Sequence, residues 1–300
     1  MSGISTNRTN ITLPTEISAE IMQKTQEQSA VMSLARQIQL PGRGLTIPVI
    51  TSDPEANWVD ETAAKPVSNP GLSTKIMQAY KLAVIVPFSD EFARDLGSLY
   101  DALVQRLPLA LAAKFDATVF HGTAPGSNFD TFASVTAQSI SGTGNSVYKA
   151  LVAADTAIAS AGGILNGFAL SPQAKGELLG AVDSTGRPLF VNSVADGVVP
   201  RLIGAPAHYA KAAYKDGTSG SGATPDVIGF AGDWTKALYG VVEGLKIDYS
   251  SDATLVAGSG TGTYTINLFQ QNMFAVRAEI EVGFVAQTAF FNKLTRTHSA

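Results

Sequence analysis

The 300-residue chain is 45% hydrophobic and 15% charged and has a formal net charge of -4, so it can bury a substantial core and does not resemble a dedicated nucleic-acid binder. It contains no cysteine, which excludes disulfides, thiolate metal sites and a cysteine nucleophile. It has no signal-peptide core and no uninterrupted apolar run of about 18 residues, so we expect a protein that is neither exported nor inserted in a membrane.

The first 38 residues divide into a polar segment and a helical one. Residues 1–14 are rich in Ser, Thr and Asn and lack hydrophobic periodicity, which predicts an arm that becomes ordered only against another surface. Residues 15–38 carry apolar side chains at helical spacing and are predicted to form a helix.

A long two-stranded hairpin is predicted next. Residues 45–51 are typical of a short strand, and residues 75–89 alternate with the period of a strand that buries one face. The connection between them carries acidic residues and prolines around Trp58. Because an isolated hairpin is only marginally stable in water, we expect this one to lie on another subunit, with Trp58 and Val59 as its apolar anchors.

One long helix is predicted over residues 89–120. Its large apolar residues recur in steps of three and four, at Phe92, Leu96, Leu99, Leu103, Leu107, Leu111, Phe115 and Val119. Ser89 suits the N-cap, and Pro108 is expected to kink the helix because it removes a backbone hydrogen bond. At about 1.5 Å per residue the helix is on the order of 45 Å long, which favours an extended molecule that contacts its neighbours.

The second half of the chain is predicted to contain a separate α/β unit and a set of strands. A helix over residues 146–161, a buried strand at 167–171 and a helix opened by Ser171 and Pro172 form the α/β unit. Three short strands follow within residues 227–250. Residues 273–284 show the clearest alternation in the chain and are predicted to form a strand with one buried and one charged face.

Residue types that usually support catalysis or metal binding are scarce or scattered. His121, His208 and His298 stand far apart in the sequence and have no neighbouring ligand, so a histidine metal site is not expected. Signatures of a nucleophile elbow, a zinc protease or a phosphate loop are absent from the sequence. We therefore predict no catalytic residue, no cofactor and no metal, and a protein that is not an enzyme.

Two acidic features allow more than one interpretation. Asp53, Glu55, Asp60 and Glu61 include enough oxygens to suggest calcium, but they lack the spacing of a calcium loop. A solvated rim that meets basic residues of a neighbour is the favoured interpretation. Asp233 is interpreted as a turn residue that bonds its own backbone rather than as a catalytic acid.

Eight segments follow one another in a characteristic order and spacing from Leu13 onward: LPTEIS, LTIPVI, ANWVDE, KLAVIVPFSDEFARDL, GRPLF, LIGAP, FAGDW and AVRAEIEVGFVAQTAFFNKL. Taken together, although no single motif is specific, they resemble the Hong Kong 97-type major capsid proteins of tailed bacteriophages. The resemblance covers nearly the whole chain. It implies an α+β Hong Kong 97-type capsid fold with an N-terminal arm, an extended two-stranded hairpin loop, a long spine helix, and peripheral and axial domains.

The resemblance also implies domain limits. These are an arm and helix at residues 1–40, an extended hairpin loop at 41–88, a peripheral domain with the spine helix at 89–145, an axial domain at 146–240, and return strands completing the peripheral domain at 241–300.

The implied function is self-assembly into an icosahedral shell of pentamers and hexamers that encloses double-stranded DNA without sequence specificity. Implied partners are a portal and separate scaffolding or decoration proteins, and no membrane is involved. The implied location is the virion, assembled in the cytoplasm of a host bacterium. Because the sequence reaches the arm directly after Met1, we expect a separate scaffolding protein, or none, to guide assembly.

Seven residues are candidates for contacts between subunits: Trp58, Val59, Glu61, Lys65, Lys75, Arg94 and Arg187. Some members of the family join neighbours through an isopeptide bond between lysine and asparagine. Lys65 or Lys75 with Asn292 are conceivable partners here, but no motif selects them, so we expect no such bond.

Two alternatives remain at this point. The same fold occurs in encapsulins, bacterial nanocompartment shells that enclose a cargo enzyme, and the polar residues 1–14 favour the virus over this reading. The second alternative is a soluble enzyme whose catalytic part is the α/β unit. It predicts a protein that stays monomeric and turns over a substrate.

Overall fold

The structure is a computed structural model that describes residue 25 and residues 29–42, 44–52, 54–62, 64–68, 71–89, 96–140, 146–183, 185–190, 201–258 and 264–298. The predicted arm, residues 1–14, lies outside the described residues. The helices and strands follow in this order: α1 Ala30–Leu34, β1 Arg36–Gln39, β2 Leu45–Ser52, β3 Gly71–Met77, β4 Tyr80–Ser89, α2 Leu96–Phe120, β5 Thr136–Ser139, α3 Ser146–Ser160, β6 Gly167–Leu170, α4 Pro172–Gly180, β7 Arg201–Leu202, β8 Ala205–Tyr209, β9 Asp226–Gly232, β10 Ala237–Val241, β11 Lys246–Ser250, β12 Thr254–Ala257, β13 Tyr264–Asn267, β14 Met273–Ala286 and β15 Phe291–Arg296.

Sheet I is built around the long strand β14. On one edge β4 pairs with it in antiparallel register, from Ser89 opposite Met273 to Tyr80 opposite Val282. On the other edge β14 pairs with β11 and β10, and β10 pairs in parallel with β1. β14 therefore holds the sheet together.

The two faces of β14 differ in the way its alternation predicts. Its buried residues are Phe274, Val276, Ala278, Ile280, Val282 and Phe284, with intervening Ala275, Gly283, Val285 and Ala286 also covered. On the outer face the Arg277 guanidinium lies 2.6 Å from the Asp248 carboxylate of β11. Such solvent-exposed pairs contribute only about 0.2–1 kcal/mol each, so burial of the apolar face dominates.

Sheet II has the strand order β5-β15-β9-β6-β8-β7. The helices α3 and α4 share one core cluster with β6 and β9, and β6 is buried along its whole length, as predicted. Ser171 caps α4 by accepting a hydrogen bond from the Ala174 N–H, and Pro172 occupies the first turn. Strands β5 and β15 belong to this sheet although they lie outside residues 146–240, and β10 belongs to sheet I.

A cluster of aromatic rings joins α2 to both sheets. Phe120 of α2 stacks on Phe230 of β9 with ring centroids 4.7 Å apart. Phe132 stacks on Phe291 of β15 at 4.4 Å and meets Phe284 of β14 edge to face at 5.5 Å. All five rings are buried, so the helix and the two sheets share one core.

The predicted long helix is present as α2, which has 25 residues and contains Pro108. Leu107, Leu111, Phe115 and Val119 are buried, which confirms the predicted apolar stripe in the C-terminal half of the helix. Residues 90–95 lie outside the described residues, and Ser89 is the last residue of β4. Among the described residues, no helix combines the length and apolar character needed to cross a membrane.

Two predicted elements are wrong in extent. The helix predicted for residues 15–38 does not continue through its last residues, because α1 ends at Leu34 and Arg36–Gln39 pairs with β10 as a strand. The strand predicted for residues 75–89 is two strands, since β3 pairs with β2 whereas β4 pairs with β14. Alternation shows that a segment is extended, but it does not show where the pairing partner changes.

Candidate subunit interface

The predicted hairpin is a two-stranded ribbon formed by β2 and β3. Its antiparallel register runs from Leu45 opposite Met77 at the root to Ser52 opposite Gly71 at the far end. At about 3.4 Å per residue the ribbon is roughly 25 Å long. Within the described part of the chain these two strands form a sheet of their own, so the ribbon projects from sheet I.

The distal segment, residues 54–62 and 64–68, connects the two strands and carries large exposed apolar side chains. Trp58 has a relative exposure of 105% and Val67 one of 87%. The backbone N–H of Glu55 donates to the Ser68 hydroxyl at 2.8 Å, which closes the segment on itself. A segment that exposes two large apolar side chains, one of them an indole, favours a contact with another surface.

The root of the ribbon is seated in sheet I by Met77, which is completely buried. Gly240 of β10 and Gly283 of β14 lie directly opposite each other under it. A Cβ at Gly240 would lie 2.7 Å from the Met77 sulfur, and a Cβ at Gly283 would lie 2.6 Å from the backbone oxygen of Gln78. These two glycines, the glycine slot, let the chain between β3 and β4 approach the sheet closely.

Lys75 fastens the root from the side. Its ammonium lies 2.7 Å from the Asp130 carboxylate and donates to the Ala286 carbonyl at 2.8 Å. The same carboxylate oxygen accepts the Ala286 N–H at 2.9 Å. Lys75 therefore bonds within its own chain and fixes the ribbon to the end of β14.

A cavity of about 220 Å³ lies next to the root, between α2 and β4. We call it the α2–β4 cavity; its floor is apolar and its edge carries two lysines, the principal lining residues being Tyr80, Leu82, Phe115, Phe129, Lys81 and Lys114. Lys81 lies 3.4 Å from Glu281, whereas the ammonium of Lys114 is exposed and has no ion-pair partner among the described residues. The cavity thus combines an aromatic floor with a cationic rim.

A buried carboxylate joins α1 to α2. Asp116 is 1% exposed and accepts hydrogen bonds from the Ser29 hydroxyl and from the backbone N–H groups of Ala30, at 2.8 Å, and Val31, at 3.3 Å. Burial raises the pKa of Asp116 from 3.8 to about 6, although the three hydrogen bonds act in the opposite direction. The anchor of α1 is therefore sensitive to pH.

We expect the stability of the unchanged chain to fall relative to an Asp116→Asn variant as the pH rises from about 4 to about 7. The folded-state pKa lies above the unfolded value of 3.8, so the contribution of this group is complete below that value and is lost as the pH rises through about 6. Urea unfolding at several pH values should show that the free energy of unfolding of the unchanged chain falls by up to about 3 kcal/mol relative to that of Asp116→Asn. A difference that is independent of pH would contradict this assignment.

A second network lies at the end of β15, and its members are far apart in the sequence. His298 Nδ1 is 2.7 Å from the Asp226 carboxylate and 3.5 Å from Asp216. Asp226 is buried and also accepts from the Gly217 N–H and from Arg296 Nε. Burial alone would raise the pKa of Asp226, but the hydrogen bonds from Gly217, His298 and Arg296 together outweigh it and lower the pKa to about 2.

This network contains three side chains of the types that bind metals, Asp216, Asp226 and His298, and no sequence pattern groups them. The Arg296 guanidinium already lies 2.9 Å from the Asp226 carboxylate, and it also lies 2.9 Å from the Glu177 carboxylate of α4. A metal ion would have to compete with that charge. The arrangement fits an ion-pair network that holds β15 against β9 and α4.

The turn interpretation of Asp233 is confirmed. Its carboxylate caps the short 3-10 helix Trp234–Lys236 by accepting the Thr235 N–H at 3.1 Å, and it also accepts from the Asn166 side chain at 2.9 Å. A carboxylate engaged in this way is a structural group.

The candidate contact residues fall in separate places. Trp58, Val59, Glu61 and Lys65 lie together in the distal segment and are exposed, whereas Lys75 lies at the root. Arg187 lies in an exposed turn after α4, in which its backbone N–H donates to the Asp183 carboxylate at 2.9 Å. Arg94 lies outside the described residues. Contact of these residues with another copy remains a prediction.

Sequence reasoning missed the α2–β4 cavity. Its walls come from β4, from α2 and from the segment before β5, so no local pattern connects them. The available signals are Tyr80 and Leu82, on the predicted buried face of residues 75–89, and Phe115, on the predicted stripe of the long helix. Each pattern predicts burial, and neither indicates a cavity.

Residues 9–291 match the sequence profile of the phage capsid family. The chain is 28% identical over 288 residues to the probable major capsid protein gp17 of Mycobacterium phage L5, covering 91% of this chain and 85% of that protein. It is 26% identical over 294 residues to the major capsid protein of Staphylococcus phage 80alpha, covering 94% of this chain and 84% of that protein.

Solved structures show the same fold. A chain from the structure of Gordonia phage Cozz superposes with a TM-score of 0.68 and 23% identity, covering 91% of this chain and 87% of that chain. A chain from Mycobacterium phage Bobi superposes with a TM-score of 0.69 and 17% identity, covering 100% of this chain and 96% of that chain. The fold is the Hong Kong 97-type α+β fold that the sequence resemblance implied.

Proposed function

The chain belongs to the phage capsid family, and from this membership we propose that it is a major capsid protein whose copies assemble into the closed shell of a tailed bacteriophage. The role is structural. Relatives that are named as capsid proteins, and that match over more than four fifths of their own length, support this proposal and disfavour the encapsulin and enzyme alternatives.

One structural observation carries the proposal. Trp58 is fully exposed at the end of a projecting ribbon, while the root of the same ribbon is seated by a completely buried Met77. A firmly held projection with an exposed indole is costly for an isolated subunit and useful for one that reaches a neighbour. Copies of one chain that contact each other in this way form rings when the rotation between them closes.

The remaining parts of the proposal concern the particle. Pentamers and hexamers of the chain form an icosahedral shell around double-stranded DNA, which is held without sequence specificity. A portal joins the shell, and a separate scaffolding protein, or none, guides assembly in the bacterial cytoplasm; decoration proteins are further candidate partners. Sheet I with α2 serves as the peripheral domain, and sheet II with α3 and α4 serves as the axial domain.

Neighbouring copies are proposed to meet through the exposed candidates Trp58, Val59, Glu61, Lys65 and Arg187, and through Arg94, which lies outside the described residues. Assembly is proposed to be non-covalent. Asn292, the conceivable isopeptide partner, is 3% exposed and its side-chain amide faces the Ala154 carbonyl at 3.4 Å. Lys75, one of its two conceivable lysines, is engaged by Asp130.

Expression of the chain, alone and together with the rest of its operon, is expected to give closed particles of uniform size in negative-stain electron microscopy. Particles made in the presence of the packaging proteins should protect DNA from added nuclease. Boiling in detergent should release monomers only. A chain that stays monomeric at high concentration under all these conditions would contradict the proposed function, and a protein cargo in place of DNA would favour a nanocompartment.

A further inference from the structure

We infer that the α2–β4 cavity of one subunit is the receptor for Trp58 of a neighbouring subunit. This inference rests on the proposed function, because it requires copies of the chain to meet. It adds the identity of the surface that receives the ribbon.

The cavity suits an indole. At about 220 Å³ it admits a bulky side chain, and Tyr80, Leu82, Phe115 and Phe129 provide an apolar floor. The rings of Tyr80 and Phe129 meet edge to face with centroids 6.1 Å apart, so the floor offers ring faces and edges for a further aromatic contact. Burying an aromatic side chain there removes on the order of 200 Å² from water.

The charges around the two surfaces are complementary. Trp58 is followed within three residues by Asp60 and Glu61, and both carboxylates are exposed. Lys114 lines the cavity and has no ion-pair partner among the described residues, whereas the ammonium of the other lining lysine, Lys81, lies 3.4 Å from Glu281. Such complementarity steers association and fixes register, and it disfavours a reversed docking.

Two other cavities of the described residues match Trp58 less well. One lies beside His298 and is lined mainly by Ser, Thr, Gly and Ala residues, without a large ring. Another lies between α2 and the segment that follows β8. It contains Tyr209 and one lysine, Lys211, but four of its lining residues are alanines.

The position of the ribbon makes the contact intermolecular. The cavity adjoins the root of the ribbon, because Tyr80 and Leu82 follow β3 by only a few residues. Trp58 belongs to the segment that connects the far ends of the two strands, on a ribbon about 25 Å long, and is fully exposed. Each subunit thus presents the exposed Trp58 at one place and the cavity that receives it at another, which is the arrangement of a head-to-tail interface.

A charge exchange tests this inference. Lys114→Glu alone and Glu61→Lys alone are each expected to raise the protein concentration needed for half-maximal particle formation about tenfold, which corresponds to about 1.4 kcal/mol per contact. The double variant, in which the charges have traded places, should return to within about threefold of the unchanged chain. The unassembled subunits of the unchanged chain and of all three variants should have similar midpoint temperatures of thermal unfolding, because Lys114 and Glu61 are exposed.

A matched control uses Lys149, an exposed lysine on α3 away from the cavity. Combining Lys149→Glu with Glu61→Lys should not restore assembly. In the unchanged chain, tryptophan emission should also shift to shorter wavelength on assembly, since Trp234 is already buried and Trp58 is not.

Three results would overturn the assignment of the α2–β4 cavity: Lys114→Glu that assembles at the same concentration as the unchanged chain, a double variant that assembles no better than the poorer single variant, or tryptophan emission that does not shift. Each of them would leave the particles, and hence the proposed function, intact. Failure of the unchanged chain to form particles would instead count against the proposed function itself.

Discussion

A chain carrying Trp58→Asp is expected to fold as well as the unchanged protein and to form no closed particles at concentrations at which the unchanged protein assembles. The indole is fully exposed in the subunit, so its replacement should change the free energy of unfolding by no more than about 0.5 kcal/mol. In the assembled shell it would bury about 200 Å². At about 25 cal/mol per Å² this corresponds to about 5 kcal/mol lost at each contact.

The aspartate also adds a third negative charge beside Asp60 and Glu61. Urea unfolding of the subunit and sedimentation of the assembly mixture separate the two effects. Val67→Asp places the same charge at another exposed apolar position of the distal segment and serves as the matched control. Normal particles from Trp58→Asp, or an equal loss with Val67→Asp, would show that Trp58 is not the anchor.

Gly283→Ala is expected to lower the free energy of unfolding by about 1–3 kcal/mol and to impair particle formation as well. The added Cβ would lie 2.6 Å from the Gln78 backbone oxygen and 3.1 Å from Cγ of Met77. The first of these neighbours is backbone, so relief requires the root of the ribbon to move away from sheet I. The distal segment, at the end of a lever of about 25 Å, would then move by several times that amount.

The matched control is Gly176→Ala in α4, where an added Cβ meets no atom within 4 Å. This change should raise stability by about 0.5–1 kcal/mol, because alanine is the better helix former. Denaturant unfolding and microscopy of both variants check the prediction. A stable, normally assembling Gly283→Ala protein would show that the glycine slot does not set the position of the ribbon.

Alternation and helical spacing were sufficient to predict elements that bury one face. Strand β14 alternates from Val276 to Val282 because one face lies on the core and the other carries charge pairs such as Arg277 with Asp248. The stripe through Leu107 and Phe115 predicts the buried side of α2 for the same reason. In both cases the pattern reflects a physical boundary between core and solvent, which the sequence records directly.

Features that depend on distant partners were not predictable in the same way. The change of partner between β3 and β4 depends on β14, about two hundred residues later, and it leaves no mark in the local pattern. Likewise, Arg36–Gln39 becomes a strand because β10 is available to pair with it. The α2–β4 cavity and the bond from Lys75 to Asp130 arise only when separate segments are brought together.

Each sheet takes an interior strand from the last part of the chain. Strand β14 joins β4 to β10 and β11 in sheet I, and β15 lies between β5 and β9 in sheet II. A ribosome therefore releases most of the polypeptide before either sheet has this strand, and a prematurely terminated product would expose unpaired edges where those strands belong. Such fragments are substrates for proteolysis rather than building material, so late completion of the sheets acts as quality control on every copy that enters a particle.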